Sequence, residues 1–224
     1  MSRRFADRVD AGRQLAPVVG GLDLPRDAIV LALPRGGVPV AAEIARALGL
    51  PLDVLCVRKL GVPFQPELAM GALASGGAVV RNEDVLAQFP SSEADFERVL
   101  AAERVELSRR ERLYRGTAGP LQVTGRCVVL VDDGLATGAT MGAAVAALRA
   151  MGAARIVVAV PVGAPDACAR IAATADQVVC LVQPMLFASV GQWYETFEQT
   201  QDDEVRSLLA EATRRVVGGG SRTS

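Results

Sequence analysis

Short, unbroken apolar runs alternate along this chain with stretches whose apolar residues recur every three or four positions, and that alternation predicts its elements. Residues 28–33 (AIVLAL) end at Pro34 and read as a strand buried on both faces. Residues 37–48 are alanine-rich with helical spacing, and Gly49 stops them. Residues 52–57 predict the next strand, so the first half opens as a parallel βαβ unit, with a helix over 5–19 ahead of it. The middle is less regular. Residues 60–77 carry Gly, Pro and Ser and predict a long loop with one short strand at 70–73. Ser92 then predicts a helix start, with Asp95 completing a capping box, and the helix runs to about Arg115. Its apolar positions, among them Phe96, Val99, Leu100, Leu107 and Leu113, leave most of it a solvated surface with one face packed down.

Strands are predicted at 127–131 (CVVLV), 156–160 and 178–182, and helices at 140–151, 164–174 and 202–217. The Gly- and Ser-rich residues 218–224 predict a disordered tail. The fold class is therefore α/β: an open, mostly parallel sheet with helices on both faces, plus a small hood. One domain is expected over residues 1–217, with its core at about 25–183 and the hood at about 184–200, flanked by terminal helices. Ligands of such sheets bind at the carboxyl ends of the strands.

Composition narrows the chemistry. The 224 residues are half hydrophobic, enough for one α/β domain with a sizeable core. A formal charge of -1 argues against a general nucleic-acid binder, which needs a basic surface. Histidine is absent, which excludes Ser-His-Asp and Cys-His catalysis and histidine-ligated zinc. The four cysteines form no CxxC pair and read as reduced core thiols. The first residues are charged throughout and lack the apolar stretch of a signal peptide. No uncharged apolar run approaches the ~18 residues of a membrane span. A cytoplasmic protein is expected.

The segment that carries chemistry is 128–140, VVLVDDGLATGAT. A buried strand delivers two carboxylates, Asp132 and Asp133, at its carboxyl end. A turn through Gly134 follows, and Ala136, Thr137, Gly138, Ala139 and Thr140 open a helix. A helix N-terminus presents unpaired amides and the positive end of its dipole. Gly138 lets backbone approach an anion, and Thr137 and Thr140 add hydroxyls. That is a phosphate cradle. Carboxylates beside a bound phosphate make sense if they accept from sugar hydroxyls or sit near Mg²⁺. The pairing suggests a phosphorylated sugar as ligand. A second turn, Pro34-Arg35-Gly36-Gly37, follows the first strand; its glycines permit an unusual backbone and Arg35 offers a fork of donors. Arg58 and Lys59 are expected to end the second strand at the same edge of the sheet.

The stretch 128–140 resembles the PRPP (5-phosphoribosyl-1-pyrophosphate) signature of type I phosphoribosyltransferases: a hydrophobic strand, two acidic residues and a Thr-Gly loop. The resemblance implies that Asp132 and Asp133 hold the ribose 2- and 3-hydroxyls and, as metal ligands, Mg²⁺. It implies that Gly134 and the loop from Ala136 to Thr140 bind PRPP at its 5-phosphate. It gives the turn at Arg35, Gly36 and Gly37 to pyrophosphate, with Arg58 and Lys59 as neutralising cations. Arg35, Lys59, Asp132 and Asp133 would be the catalytic set. The reaction implied is transfer of the 5-phosphoribosyl group to a nitrogen acceptor such as a nucleobase, in nucleotide metabolism. RKLGVPFQPELAMGA, the YRG at 114–116 and YETFEQTQDDEV at 194–205 are similar to a bacterial branch of phosphoribosyltransferase-domain proteins, and that likeness names no substrate.

The sequence departs from the family in one informative place. Where 6-oxopurine phosphoribosyltransferases commonly carry an aspartate before the Thr-Gly, this chain has Ala136, a form more like the adenine enzymes. No general base stands in its place; Glu67, near the middle loop, is the weak candidate. Phe187, Trp193, Tyr194 and Phe197 are four of the nine aromatics and either stack on a base or pack the C-terminal segment; aromatics so spaced belong more often to a core. A PRPP-sensing regulator without catalysis and a hydrolase using water as acceptor are the other readings. For the regulator, the arginines of 92–115 could meet nucleic acid, but interleaved glutamates blunt that idea. The amphipathic faces of the middle helix and C-terminal segment are compatible with a homodimer.

Overall fold

The structure is a computed structural model that describes residues 4–88 and 93–219. Its first half runs α1 (Arg8–Gly20), β1 (Ile29–Ala32), α2 (Gly37–Leu48), β2 (Leu52–Val54), β3 (Val57–Val62), β4 (Gln65–Ala74) and β5 (Val79–Arg81). The second half runs α3 (Glu83–Gln88), α4 (Glu93–Arg115), β6 (Cys127–Val131), α5 (Ala139–Ala150), β7 (Arg155–Val162), α6 (Pro165–Ala172), β8 (Gln177–Val182) and α7 (Asp202–Gly219).

Five strands make one parallel sheet in the order β2-β1-β6-β7-β8. Its middle strands are apolar throughout because both faces are covered. Val30, Ala32, Val129, Val131, Val157 and Ala159 face a core shared with α1, α2, α4 and α7. The alternate residues Ile29, Leu31, Val128, Leu130, Ile156 and Val158 face a second core shared with α5 and α6. β3, β4 and β5 form a separate three-stranded antiparallel sheet, the small hood of the fold, which lies at residues 57–81 and not at 184–200 as expected; the latter stretch holds one short 3-10 turn and an isolated bridge.

β1 lies beside β6, and the chain winds outward from that pair in both directions. The carboxyl ends of β1 and β6 are therefore the topological switch point, where open α/β sheets bind ligands. The turn 33–37 and the loop 132–140 both emerge there. Leu33 N–H donates to Val131 O at 2.9 Å, which extends the β1–β6 pairing to the threshold of Asp132.

Four further expectations need correcting. The first helix begins at Arg8, because Asp7 takes an extended backbone and its side chain accepts from Asp10 N–H at 2.7 Å. Phe5 instead pairs with Tyr194 in an isolated bridge. The second parallel strand ends at Val54. Leu55 N–H still reaches Ala32 O, but Cys56 N–H donates to Ser75 Oγ at 2.9 Å and turns the chain into the small sheet. Arg58 and Lys59 therefore open β3 and do not end a parallel strand.

Residues 60–77 are largely the β3–β4 hairpin, not a loop, and Glu67 falls in β4. Its register shifts at Gly61 erase the two-residue period, and its small residues offer little hydrophobic alternation to read. The C-terminal helix runs on to Gly219. Ser92 and residues 220–224, on which a helix start and part of a tail were expected, lie outside the described residues. Among the described residues no helix is long and apolar enough to cross a membrane.

Candidate active site

β6 is buried along its whole length, and the two residues beyond it carry the carboxylates. Asp132 Oδ1 accepts from Asp133 N–H at 2.9 Å, which fixes the first side chain against the turn. Asp133 Oδ2 accepts from Arg8 Nε at 2.8 Å, and Tyr194 OH donates to the Asp133 carbonyl at 2.6 Å. Burial pushes both carboxyls above the usual aspartate range, and for Asp132 the neighbouring Asp133 charge adds to it. The Arg8 guanidinium opposes the shift at both groups.

Close contact between the two loops depends on missing side chains. A Cβ on Gly36 would lie 2.0 Å from Asp133 Oδ2. A Cβ on Gly37 would lie 2.7 Å from Val131 O and 2.9 Å from the Asp132 Cα. The turn 33–37 thus lies directly against the acidic pair, and its Pro34–Arg35 peptide is cis.

Beyond the acids, Leu135 pairs with Gly163 and its amide donates to Val162 O at 2.9 Å, anchoring the loop to the end of β7. Gly138 then takes a left-handed conformation (φ 75°) as the N-cap of α5. Ala136, Thr137, Ala139 and Thr140 are exposed around it. Arg170 of α6 donates to Thr137 O at 3.1 Å and holds the loop from behind. The first-turn amides of α5 have no carbonyl partner within the helix, the property an anion site uses, and the Ala139 amide is already engaged, donating to Thr137 Oγ1 at 3.4 Å.

The predicted pyrophosphate residues separate. Gly36 and Gly37 stand at the carboxylates, and Arg35 lines the same cleft with its Nη1 3.5 Å from Asp202 at the start of α7. Arg58 is drawn off: its Nε meets Glu103 of α4 at 2.5 Å, a brace between the small sheet and that helix. Lys59 shares a strand face with Val57, which packs into the core around α5, while Leu60 belongs to the opposite core.

Arg8, Tyr194, Tyr114 and Asp202 join the site without a role predicted from the sequence. Tyr114 OH donates to Asp202 Oδ1 at 2.6 Å, and burial together with that carboxylate pushes the phenol up to about 12. A cleft of about 460 Å³ opens beside Asp133, walled by Arg8, Arg35, Arg109, Tyr114 and Asp202 among others. The sequence signal for Tyr114, Tyr194 and Asp202 is their place in the YRG and YETFEQTQDDEV segments, which resemble the family without naming a role. Trp193 and Tyr194 are buried with Phe5, Ala11 and Val162, so they pack the C-terminal segment. Phe197 lies against Tyr194 and carries the Arg8 guanidinium 3.9 Å above its ring. On α4, Arg109 and Arg110 both pair with Glu106, and Arg115 pairs with Asp53, so that helix presents no unbroken basic stripe.

Comparison with known proteins agrees with this geometry. The family model described as "Phosphoribosyl transferase domain" matches residues 23–195. Two proteins of Mycobacterium tuberculosis (strains CDC 1551 / Oshkosh and ATCC 25618 / H37Rv), provisionally named phosphoribosyl transferases, are each 50% identical over 217 residues. The match takes in 97% of this chain and 49% of each relative, so the chain spans about half the length of the curated relatives it matches. The crystal structure of TT1426 from Thermus thermophilus is 45% identical and superposes with a TM-score of 0.85 over 93% of this chain and 98% of that one. With an acidic pair and a Thr-Gly loop at the switch point of a parallel sheet, this chain belongs to the phosphoribosyl transferase domain family.

Proposed function

We propose that the protein binds PRPP and transfers its 5-phosphoribosyl group to a nitrogen acceptor, a nucleobase being the simplest, with release of pyrophosphate. The observation that carries this reading is the juxtaposition at the switch point. Two carboxylates able to accept from ribose hydroxyls stand beside an exposed helix N-terminus, built on Gly138, that suits a phosphate. A sugar with a 5-phosphate satisfies both at once.

In this reading the amides and hydroxyls of Ala136 to Thr140 hold the 5-phosphate, and Asp132 and Asp133 orient the ribose. The acceptor nitrogen bonds to the anomeric carbon as the bond to pyrophosphate breaks, the electron pair leaving on the pyrophosphate oxygen and the acceptor's proton passing to solvent. The sugar passes through an oxocarbenium-like state, so the protein's task is positioning and charge neutralisation. Arg35, with the amide of Gly36, faces the leaving group, since the Gly37 amide donates to Leu33 O, and Lys59 of β3 is the second cation assigned to it. Arg58 is left out, since its partner is Glu103.

Mg²⁺ fits the acidic pair. Asp132 Oδ1 and Asp133 Oδ2 are engaged, which leaves one oxygen on each carboxylate. Among the described residues no cluster of three metal-ligating side chains exists, so Asp132 and Asp133 would share the ion with oxygens of the donor, as Mg²⁺ sites commonly do. The ion would supply neutralisation of pyrophosphate charge. Cytoplasmic location is part of the proposal and suits four free thiols.

The test is pyrophosphate release from PRPP and Mg²⁺ across a panel of nucleobases. Release that depends on one acceptor and disappears in Asp132→Asn/Asp133→Asn supports the transferase. Release without any acceptor would replace it with a hydrolase, and no release with any acceptor would remove the enzymatic claim.

A further inference from the structure

Two segments far apart in the sequence, residues 5–8 and 193–198, converge on Asp133. Phe5 N–H donates to Trp193 O at 2.9 Å, Glu195 N–H to Phe5 O at 2.8 Å and Thr196 N–H to Ala6 O at 3.0 Å. This short clip zips the N-terminal segment to the segment after β8. It places Arg8, at the start of α1, and Tyr194 on the same aspartate.

Arg8 is held on three sides. Its Nε donates to Asp133 Oδ2, its Nη1 donates to Glu198 O at 2.6 Å, and its plane lies over the Phe197 ring. The ion pair is largely buried, with 12% and 15% of the two side chains exposed. Tyr194 fixes the Asp133 backbone from the other side, and Gly36 leaves the room for the carboxylate to lie where it does. A fork held so rigidly sets the orientation of the carboxylate it grips. One Asp133 oxygen is committed to Arg8, and the other remains for a ligand.

We infer that Arg8 is a positioning residue for sugar recognition: clamped by the clip between the N-terminal segment and the segment after β8, it fixes Asp133 so that its second oxygen accepts from a ribose hydroxyl. This rests on the reading of Asp133 as a sugar-hydroxyl acceptor. The clip makes ribose recognition depend on segments some 190 residues apart, whereas the phosphate cradle depends on neither. Arg8 should therefore act on the sugar and not on the phosphate.

Calorimetric titration with two probes, inorganic phosphate and ribose 5-phosphate, separates those terms. In the wild-type chain ribose 5-phosphate should bind more tightly than phosphate. Arg8→Met should weaken ribose 5-phosphate roughly 10- to 100-fold, the range for losing a charge-assisted hydrogen bond, and leave phosphate unchanged. Unchanged phosphate binding also reports that the variant is folded. Arg8→Lys should recover part of the loss, and Phe197→Leu, which keeps the charge but removes the ring beneath it, should show a smaller loss of the same kind. Three results overturn the inference: wild-type ribose 5-phosphate affinity in Arg8→Met; tighter binding, which would make Arg8 a competitor for Asp133; or equal loss of both probes, which would make it only structural. If the wild-type chain binds phosphate but gains nothing from the ribose, the sugar reading of Asp133 itself fails, and Arg8 loses its role with it.

Discussion

The loop proposed to hold phosphate and the clip at Asp133 both lie at the carboxyl end of β6, yet they are built in opposite ways. The cradle is local: strand, acids, turn and helix follow one another within 14 residues, from Cys127 to Thr140. The clip joins residues 5–8 to residues 193–198 and gains its geometry only when the whole sheet has formed. A local device can be read from sequence because backbone chemistry dictates it. A distant one depends on which ends the fold brings together.

Substitutions can break that comparison or sharpen it. Gly36→Ala should have the largest effect, because the new methyl would occupy the place of Asp133 Oδ2 and displace the carboxylate that the clip holds. Ribose 5-phosphate binding should fall by roughly 100-fold or more, as expected when a reacting group is misplaced by an ångström, and calorimetry would show it. Gly138→Ala should act on the cradle alone. Forcing a side chain into the left-handed region costs about 1–2 kcal/mol, so phosphate and ribose 5-phosphate should weaken together, each by about tenfold.

Tyr194→Phe should act on the clip alone. It removes one buried hydrogen bond to the Asp133 carbonyl and should lower stability by about 1 kcal/mol in thermal or urea unfolding. Phosphate affinity should stay unchanged. If Tyr194→Phe weakened both probes as Gly138→Ala does, the two devices would not be separable.

An effect confined to alkaline pH lies away from both, at the joint between the sheets. Burial pushes the Cys56 thiol from 9.0 up to about 12. The unfolded thiol therefore ionises first: this contribution to stability is complete below pH 9 and is lost as pH rises toward 12. Urea unfolding across that range should show stability falling by roughly 1.4 kcal/mol per pH unit from this group, a slope that Cys56→Ala should flatten.

How much was legible follows the same division. CVVLV before Asp132 marks β6 to the residue, and the Gly49 stop of α2 is equally clear, since both are dictated by local pattern. The β3–β4 hairpin was hidden by its register shifts and by Gly61, Ala69, Gly71 and Ala72, which pack by being small. Arg58 looked like a site residue because it follows an apolar run. The parallel strand had already ended at Val54, and a glutamate 45 residues later claimed the guanidinium. Arg8 reads only as part of a helix, for no local pattern announces a partner 125 residues away. The Arg35–Asp202–Tyr114 cluster was out of reach for the same reason.

The most direct test of the central claim is a calorimetric titration of PRPP into the protein, with and without Mg²⁺, beside Asp132→Asn/Asp133→Asn. Magnesium-dependent binding by the wild-type chain that vanishes in a folded double variant is the predicted result. A folded wild-type protein that binds neither PRPP nor ribose 5-phosphate would contradict the account.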